Sequence, residues 1–392
     1  MEGLMLENVR IGIVGIGGMG TNHADYLSAG QVPGAQLTAV CDIDPQRLER
    51  AKQKYGDKIA LFEDAEAMFS SGLVDAVIIA TPHYFHPPLA CKAFAKGLHV
   101  LTEKPAGVYT KQVREMNEAA IASGKVFGIM FNQRSNPLYQ KLRDLVTSGE
   151  LGEIKRTNWI ITNWYRPQSY YDSGGWRATW AGEGGGVLTN QDPHQLDLWQ
   201  WICGMPQRVR AFCHFGKYHD IEVEDDVTAY VEYANGATGV FVTSTGDAPG
   251  SNRFEISADR GKVVIEDGQL TFWRLRQSER QFNKEWKRGF GEPECWKCSV
   301  PTGQLKGSQH RAVTENWVNS IRKGTPLLAP GIEGINGLQL SNAMHLSAWT
   351  DDWVSIPVDE DKYYAYLQER IKNSTFKKKT DGGKIMDVTG TF

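Results

Sequence analysis

At 392 residues and a formal net charge of −3, the chain is long enough for two domains with cores of their own, and its charges are interspersed. That balance argues against a basic nucleic-acid-binding face, and no apolar run is long enough to cross a bilayer as a helix. The N-terminus lacks the basic-then-apolar pattern of a secretory signal, so a cytoplasmic protein without nucleic-acid or membrane partners is expected.

The first element is an apolar run from Val9 to Val14, which ends in Gly15-x-Gly17-x-x-Gly20 and flows into a helix over 18–29. Strand, glycine turn and helix together are the context in which this fingerprint means dinucleotide binding. Gly15 permits the tight turn, Gly17 lets the backbone approach a pyrophosphate, and Gly20 lets helix and strand pack closely. Gly18 and Met19 open the helix, whose N-terminus offers free N–H groups and partial positive charge to the phosphates. A second strand, 36–41, ends at Asp42, placed to accept from the adenosine ribose hydroxyls and to repel a 2′-phosphate. The next Arg is Arg47, in the following helix, so NAD is favoured over NADP.

Alternation continues to about residue 130, with strands expected at 59–62, 74–80, 98–101 and 126–130 and helices at 45–54, 64–70, 86–96 and 110–123. Parallel βαβ units covered on both faces follow, with ligand beyond the carboxyl ends of the strands. The segments just past those ends are Thr81-Pro82-His83-Tyr84-Phe85-His86, Glu103-Lys104-Pro105 and Asn132-Gln133-Arg134. Thr81, Pro82, His83, His86, Glu103, Lys104 and Asn132 are therefore candidate cofactor contacts, with Arg134 facing the substrate. Lys104, directly past a sheet edge, points at the cleft.

Beyond a helix at 136–150, β-type runs dominate at 154–162, 207–215, 226–233, 237–244, 253–258, 262–266 and 270–274. Asn235-Gly236 marks a hairpin turn between two of them. The expected fold is thus α/β: a doubly wound parallel Rossmann sheet over 1–131, then an α+β domain over 132–358. That second domain carries a large open, mainly antiparallel sheet, one face of which needs cover, so a homo-oligomer is expected (dimer-based, tetramer or hexamer). Helices are read at 311–322 and 337–348, and 359–392 is a C-terminal extension that ends in a polar tail. Six cysteines suggest no disulfide framework. Cys295-Trp-Lys-Cys298, a single pair, reads as a loop with two free thiols, and no metal is expected.

Two segments of the second half carry chemistry. In the loop from Asn163 to Arg177, Tyr165, Arg166, Trp176 and Arg177 could stack on sugar rings and read hydroxyls. In the segment from Gly182 to Trp199, Asn190, His194 and Asp197 share one helical face, and Gln191 and Asp192 lie beside them. Pro193 complicates a continuous helix. Either Asp192 caps a helix that starts at Pro193, with Gln195 as its capping-box partner, or a helix begun near Gly186 is kinked there. Both place His194 at a glycine-rich entrance. In a first turn its ring would be kept neutral and able to accept a proton.

These residues resemble the Gfo/Idh/MocA oxidoreductases over roughly 9–357: the glycine fingerprint, Asp42, Ala80-Thr-Pro82, Glu103-Lys104-Pro105, Asn132-x-Arg134, and Gly184-Gly-Gly-x-Leu-x-Asn190-x-x-x-His194-x-x-Asp197. The resemblance implies a Lys104 and His194 pair acting on a sugar or cyclitol hydroxyl, with Lys104 bonded to the reacting oxygen and His194 removing its proton. Many members carry Asp where this chain has Asn190, so a supporting carboxylate for the histidine is missing there; Asp192 or Asp197 could replace it, or Asn190 and Gln191 could bind substrate directly. The Asn190-Gln191 variant with Trp176-Arg177 looks like the branch that oxidises C3 of pyranosides and anhydrosugars. The expected activity is NAD-dependent oxidation of a sugar or glycoside to a 3-keto sugar. An inositol 2-dehydrogenase, or an NAD-dependent glycosidase or epimerase that oxidises C3 transiently, stands as the alternative.

Overall fold

The computed structural model describes residues 8–304 and 308–378. The first sheet has six parallel strands: β1 (Val9–Val14), β2 (Ala35–Cys41), β3 (Ala60–Phe62), β4 (Ala76–Ile79), β5 (His99–Thr102) and β6 (Phe127–Ile129), in the order β3-β2-β1-β4-β5-β6. Val77, Ile78, Ile79, Val100 and Leu101 are completely buried, as continuous apolar strands must be when helices cover both faces. The strand order reverses between β1 and β4, so the glycine turn after β1 and the loop after β4 border one crevice.

The second sheet has nine strands: β7 (Ile154–Ile161), β8 (Arg208–Phe215), β9 (Glu224–Glu232), β10 (Thr238–Ser244), β11 (Asn252–Ala258), β12 (Gly261–Glu266), β13 (Gln269–Leu275), β14 (Cys295–Ser299) and β15 (Val354–Ser355). All neighbours are antiparallel except β7 and β10, which pair parallel after a long crossover that includes three helices and the strands β8 and β9. The hairpin at Asn235-Gly236 joins β9 to β10: Gly236 N donates to the Tyr233 carbonyl at 3.0 Å and Gly236 alone of the two takes a positive φ, +81°, so the loop is a three-residue turn closed by a glycine bulge rather than a two-residue primed turn. Cys295 and Cys298 correct the sequence expectation: they lie in edge strand β14, paired with β13, rather than in a loop, and both thiols are free.

One face of this sheet is covered by the helices Pro193–Cys203 and Gly334–Thr350. Trp199 anchors the first of them, stacking on Phe241 of β10 at 5.4 Å and donating to Thr157 of β7 at 3.0 Å. That contact sets the depth and rotation at which His194, one turn earlier, meets the crevice. The opposite face exposes Ile160, Phe212 and Tyr230. The helix Gln309–Lys323, within the span assigned from sequence to the second domain, returns to the first: Val313, Trp317 and Val318 complete the core beside β1 and β2. Its apolar stripe is legible in the sequence, but the stripe does not say which sheet it covers. The C-terminal extension opens with the helix Glu360–Asn373, and its tail from 379 onward lies outside the described residues.

Candidate active site

The glycine turn behaves as its three residues require. Gly15 has φ +88°, and a Cβ there would stand 2.6 Å from the Ala80 carbonyl oxygen. A Cβ on Gly20 would lie 1.8 Å from the Gly15 oxygen, so helix and strand could not close. Above Gly17 a Cβ meets only Arg47 Nη1, at 3.8 Å, which leaves the backbone open to a pyrophosphate. Gly17 caps the helix Gly18–Ser28 with no side chain on its first N–H groups, which leaves them available to phosphate oxygens. Asp42 is fixed by the backbone: Ile16 N donates to Oδ2 at 2.8 Å and Asp44 N to Oδ1 at 3.0 Å. Arg47 reaches back to Asp42 Oδ2 at 3.3 Å, a contact the sequence did not signal. Thr81 Oγ1 and Asn132 Oδ1 are buried without a protein partner on the far side of the crevice, while Asn132 Nδ2 donates to Gln309. These residues fit a bound NAD.

Three expected cofactor contacts are engaged elsewhere. His86 has both ring nitrogens 2.7 Å from backbone carbonyls, of Pro105 and Thr81, and so staples the loop after β4 to the turn after β5. His83 Nδ1 stands 3.2 Å from the Glu183 carbonyl, and its ring meets Trp176 edge-on at 5.2 Å, so it joins the two halves. Glu103 turns its carboxylate inward, where Oε1 lies 2.7 Å from His23 Nε2 and Oε2 accepts from Lys104 N at 3.1 Å. A buried polar path continues from His23 Nδ1 to the Tyr26 hydroxyl (2.5 Å) and on to Thr314 (2.8 Å). Burial pushes Glu103 up, yet His23, with His310 and Lys104, outweighs this and brings it to about 2. His23 escaped the sequence reading, although a histidine on the Gly20–Ala24–Leu27 face of that helix has to be buried and therefore partnered.

Lys104 leaves this base toward the other half. Its amine donates to the Asn190 carbonyl at 2.8 Å and stands 3.4 Å from Asn190 Oδ1. Burial lowers its pKa to about 8; Glu103 pulls it up, and Arg177 and Arg166 push it further down.

The segment carrying His194 takes both expected forms in part. A short helix, Val187–Asn190, gives way at Pro193 to Pro193–Cys203, with His194 in the first turn. The expected capping box is not formed. Asp192 arrives at φ −92°, ψ 4° because its N–H still bonds the Val187 carbonyl at 2.9 Å, and an extended backbone is needed to swing a side chain onto the following amides. Asp192 is fully buried, and burial holds its pKa well above the ordinary carboxylate range. His194 is buried with Nδ1 unpartnered; burial, then the Lys104 charge, holds it well below its usual value, so the ring is neutral. Glu224 supports the entrance, accepting from Gly186 N (2.9 Å) and Leu188 N (3.0 Å) while His345 Nε2 lies 2.9 Å from its other oxygen.

Around the mouth, the Tyr170 hydroxyl collects Arg177 Nη1 (2.8 Å), Asn190 Nδ2 (3.1 Å) and Gln191 Nε2 (3.1 Å). Glu183 accepts from Ala178 N at 2.6 Å and from Asn190 Nδ2, so a carboxylate does stand behind Asn190, from seven residues upstream. Neither Tyr170 nor Glu183 was singled out from sequence; both sit in segments flagged for other residues. Trp176 lies under the Arg177 guanidinium at 4.6 Å, and Tyr165 is exposed. Arg134 is drawn away from the substrate. Its guanidinium is buried in a two-pronged pair with Asp197 (both bonds 2.7 Å) and a third bond to Glu333 at 2.5 Å. Asp197 is spent in the same pair and cannot support His194.

Residues 9–131 match an oxidoreductase family with an NAD-binding Rossmann fold, and residues 139–264 match the GFO/IDH/MocA C-terminal domain. An inositol 2-dehydrogenase of Rubrobacter xylanophilus is 31% identical over 197 residues, 50% of this chain and 52% of that protein, so the chain spans about half its length. A D-glucoside 3-dehydrogenase of Escherichia coli is 30% identical over 246 residues, 58% of this chain and 68% of that protein. The WlbA dehydrogenase from Bordetella pertussis, solved with NADH and UDP-GlcNAcA, superposes with a TM-score of 0.76 at 25% identity, covering 90% of this chain and 100% of that one. With the glycine turn, Asp42 and the Glu103-Lys104-Pro105 turn in place, these matches identify the chain as a member of the Gfo/Idh/MocA oxidoreductase family that binds NAD through its N-terminal half.

Proposed function

We propose that this protein oxidises a secondary hydroxyl, at C3, of a sugar or glycoside pyranose ring to the 3-keto sugar. The observation that carries the reading is the meeting of two halves: the Lys104 amine, from the end of β5, bonds the Asn190 backbone beside a neutral buried His194. Bound NAD supplies the hydride acceptor. Hydride leaves a carbinol carbon readily only as the hydroxyl proton is withdrawn, so a neutral base within reach is needed. His194 is that base, its Nδ1 free of any protein partner. Lys104, still an ammonium at neutral pH, donates to the reacting oxygen and stabilises the developing alkoxide in a water-poor site. Glu103, anchored by His23, fixes the backbone from which Lys104 projects. Asn190, Gln191 and Arg177, gathered on Tyr170, hold the remaining hydroxyls.

The glucoside 3-dehydrogenase relative supports C3 as the site of oxidation, and the inositol dehydrogenase relative supports a cyclitol as the second reading. Incubation with NAD and a panel of pyranosides and inositols, with NADH formation and mass-spectrometric detection of 3-keto products, separates the two. Turnover of inositols alone rejects the first. Among the described residues nothing covers the face of the second sheet that exposes Ile160, Phe212 and Tyr230, which supports a homo-oligomer built through that face.

A further inference from the structure

The loop between β7 and the helix Val187–Asn190 holds two guanidinium groups against one tyrosine ring, and they are compensated unequally. Arg166 Cζ lies 5.2 Å and Arg177 Cζ 4.6 Å from the Tyr170 ring centre. Arg177 has Glu183 at 3.8 Å. Arg166 forms no ion pair among the described residues: Nη1 donates to its neighbour's carbonyl, Tyr165 O, at 2.9 Å, and Nε is buried with no partner. The aromatic faces of Trp164 (5.5 Å) and Tyr170 hold the group in place without neutralising it. A third cation, Lys378, arrives from the segment after the last helix and donates to the Tyr171 carbonyl. Of the acids around them, Glu183 is already committed, accepting from Ala178 N and Asn190 Nδ2, while Asp172 and Asp220 act on Lys378. Cations gathered this closely in a partly buried mouth repel one another unless an anion joins them.

We propose that the sugar this site takes carries an oxyanion, a carboxylate or a phosphate, bound between Arg166 and Arg177. The inference rests on the dehydrogenase reading above and narrows its substrate class. A guanidinium presents a planar fork that matches such a group, and both forks lie against the same Tyr170 ring. The path from Lys104 fixes where the charge lies on the substrate. Three polar contacts separate the amine from the Arg177 guanidinium: Lys104 Nζ to Asn190 Oδ1 (3.4 Å), Asn190 Nδ2 to Tyr170 OH (3.1 Å), and Tyr170 OH to Arg177 Nη1 (2.8 Å). The anion is thus carried on a part of the substrate other than the oxidised carbon, on C6 or on the aglycone.

The test compares kcat/KM with NAD for methyl glucuronide, glucose 6-phosphate and methyl glucoside in the wild type, Arg166→Gln and Arg166→Lys. The wild type is expected to favour at least one anionic sugar over the neutral one by about tenfold or more, the worth of one charge-assisted hydrogen bond. Arg166→Gln should lower that anionic-to-neutral ratio about tenfold, and Arg166→Lys should restore part of it. Preference for the glucuronide assigns a carboxylate, and preference for glucose 6-phosphate assigns a phosphate. Should Arg166→Gln fold poorly, ionic strength gives a second measurement on the wild type: added salt should slow the anionic sugar and leave the neutral one level. Equal or better use of methyl glucoside by the wild type, or a ratio unmoved by Arg166→Gln, overturns the anion while the dehydrogenase reading stands. No NADH from any sugar or cyclitol overturns both.

Discussion

The cofactor cradle and the substrate wall face each other across Lys104 and are built from different interactions. In the cradle the decisive contacts are backbone: Asp42 is held by two amides, and Gly15 and Gly20 make room for one another within a single strand–turn–helix. In the wall they join side chain to side chain, with Tyr170 gathering groups from two segments. The wall also leaves Gln191 Oε1, both Asp192 oxygens, His194 Nδ1 and Gln195 Oε1 without a protein partner. A site made of amides is set once the local chain folds, whereas one made of side chains can be retuned by single substitutions without disturbing the fold. On the function proposed above, the cradle would serve any NAD-linked reaction and the wall would choose the substrate.

The largest effect should come where the two regions meet. Lys104→Met is expected to lower turnover by roughly 10²–10⁴-fold, the range for a positioned proton-handling group, while NAD titration shows affinity retained. An equal loss of NAD affinity would erase the division between cradle and wall. The next contrast sets the two arginines apart. Arg134→Met strands Asp197 as a buried charge and should cost about 3–5 kcal/mol in urea unfolding. Arg166→Gln removes no ion pair and should cost about 1 kcal/mol or less. Comparable losses would mean that Arg166 is structural after all.

Within the cradle, Gly20→Ala and Gly17→Ala separate packing from binding. The first drives a methyl into the Gly15 carbonyl and should lower stability by roughly 1–3 kcal/mol on thermal or chemical unfolding. The second has space, so it should keep its melting temperature and weaken NAD binding by calorimetry. The smallest effect is a pH limb. Below about 8 the Lys104 amine is protonated and donates, and above that its charge is lost, so kcat/KM for alcohol oxidation should fall on the alkaline side with a midpoint near 8. His194, held well below its usual value, is already neutral there and puts its own limb on the acid side. Lys104→Arg should move the alkaline limb upward, and a limb that stays near 8 would assign it to another group.

What could be read before folding follows the same division. The parallel sheet, the glycine turn, Asp42 and the placement of Lys104 past β5 rest on short-range rules of strand and turn chemistry, so the amino-acid order alone determined them, whereas the two helix forms it allowed around His194 were decided only by the structure. Sequence could not show that Arg134 is consumed by Asp197, that His86 and Glu103 turn inward, or that the capping box fails because Asp192 still belongs to the preceding turn. Nor could it show that Glu183 stands behind Asn190, or that the helix Gln309–Lys323 covers the first sheet instead of the second. A polar side chain or an apolar stripe carries a demand for a partner but not that partner's address. The address exists only once segments as far apart as Arg134 and Asp197 share one interior, where the cost of leaving a charge or donor unpaired selects who pairs with whom.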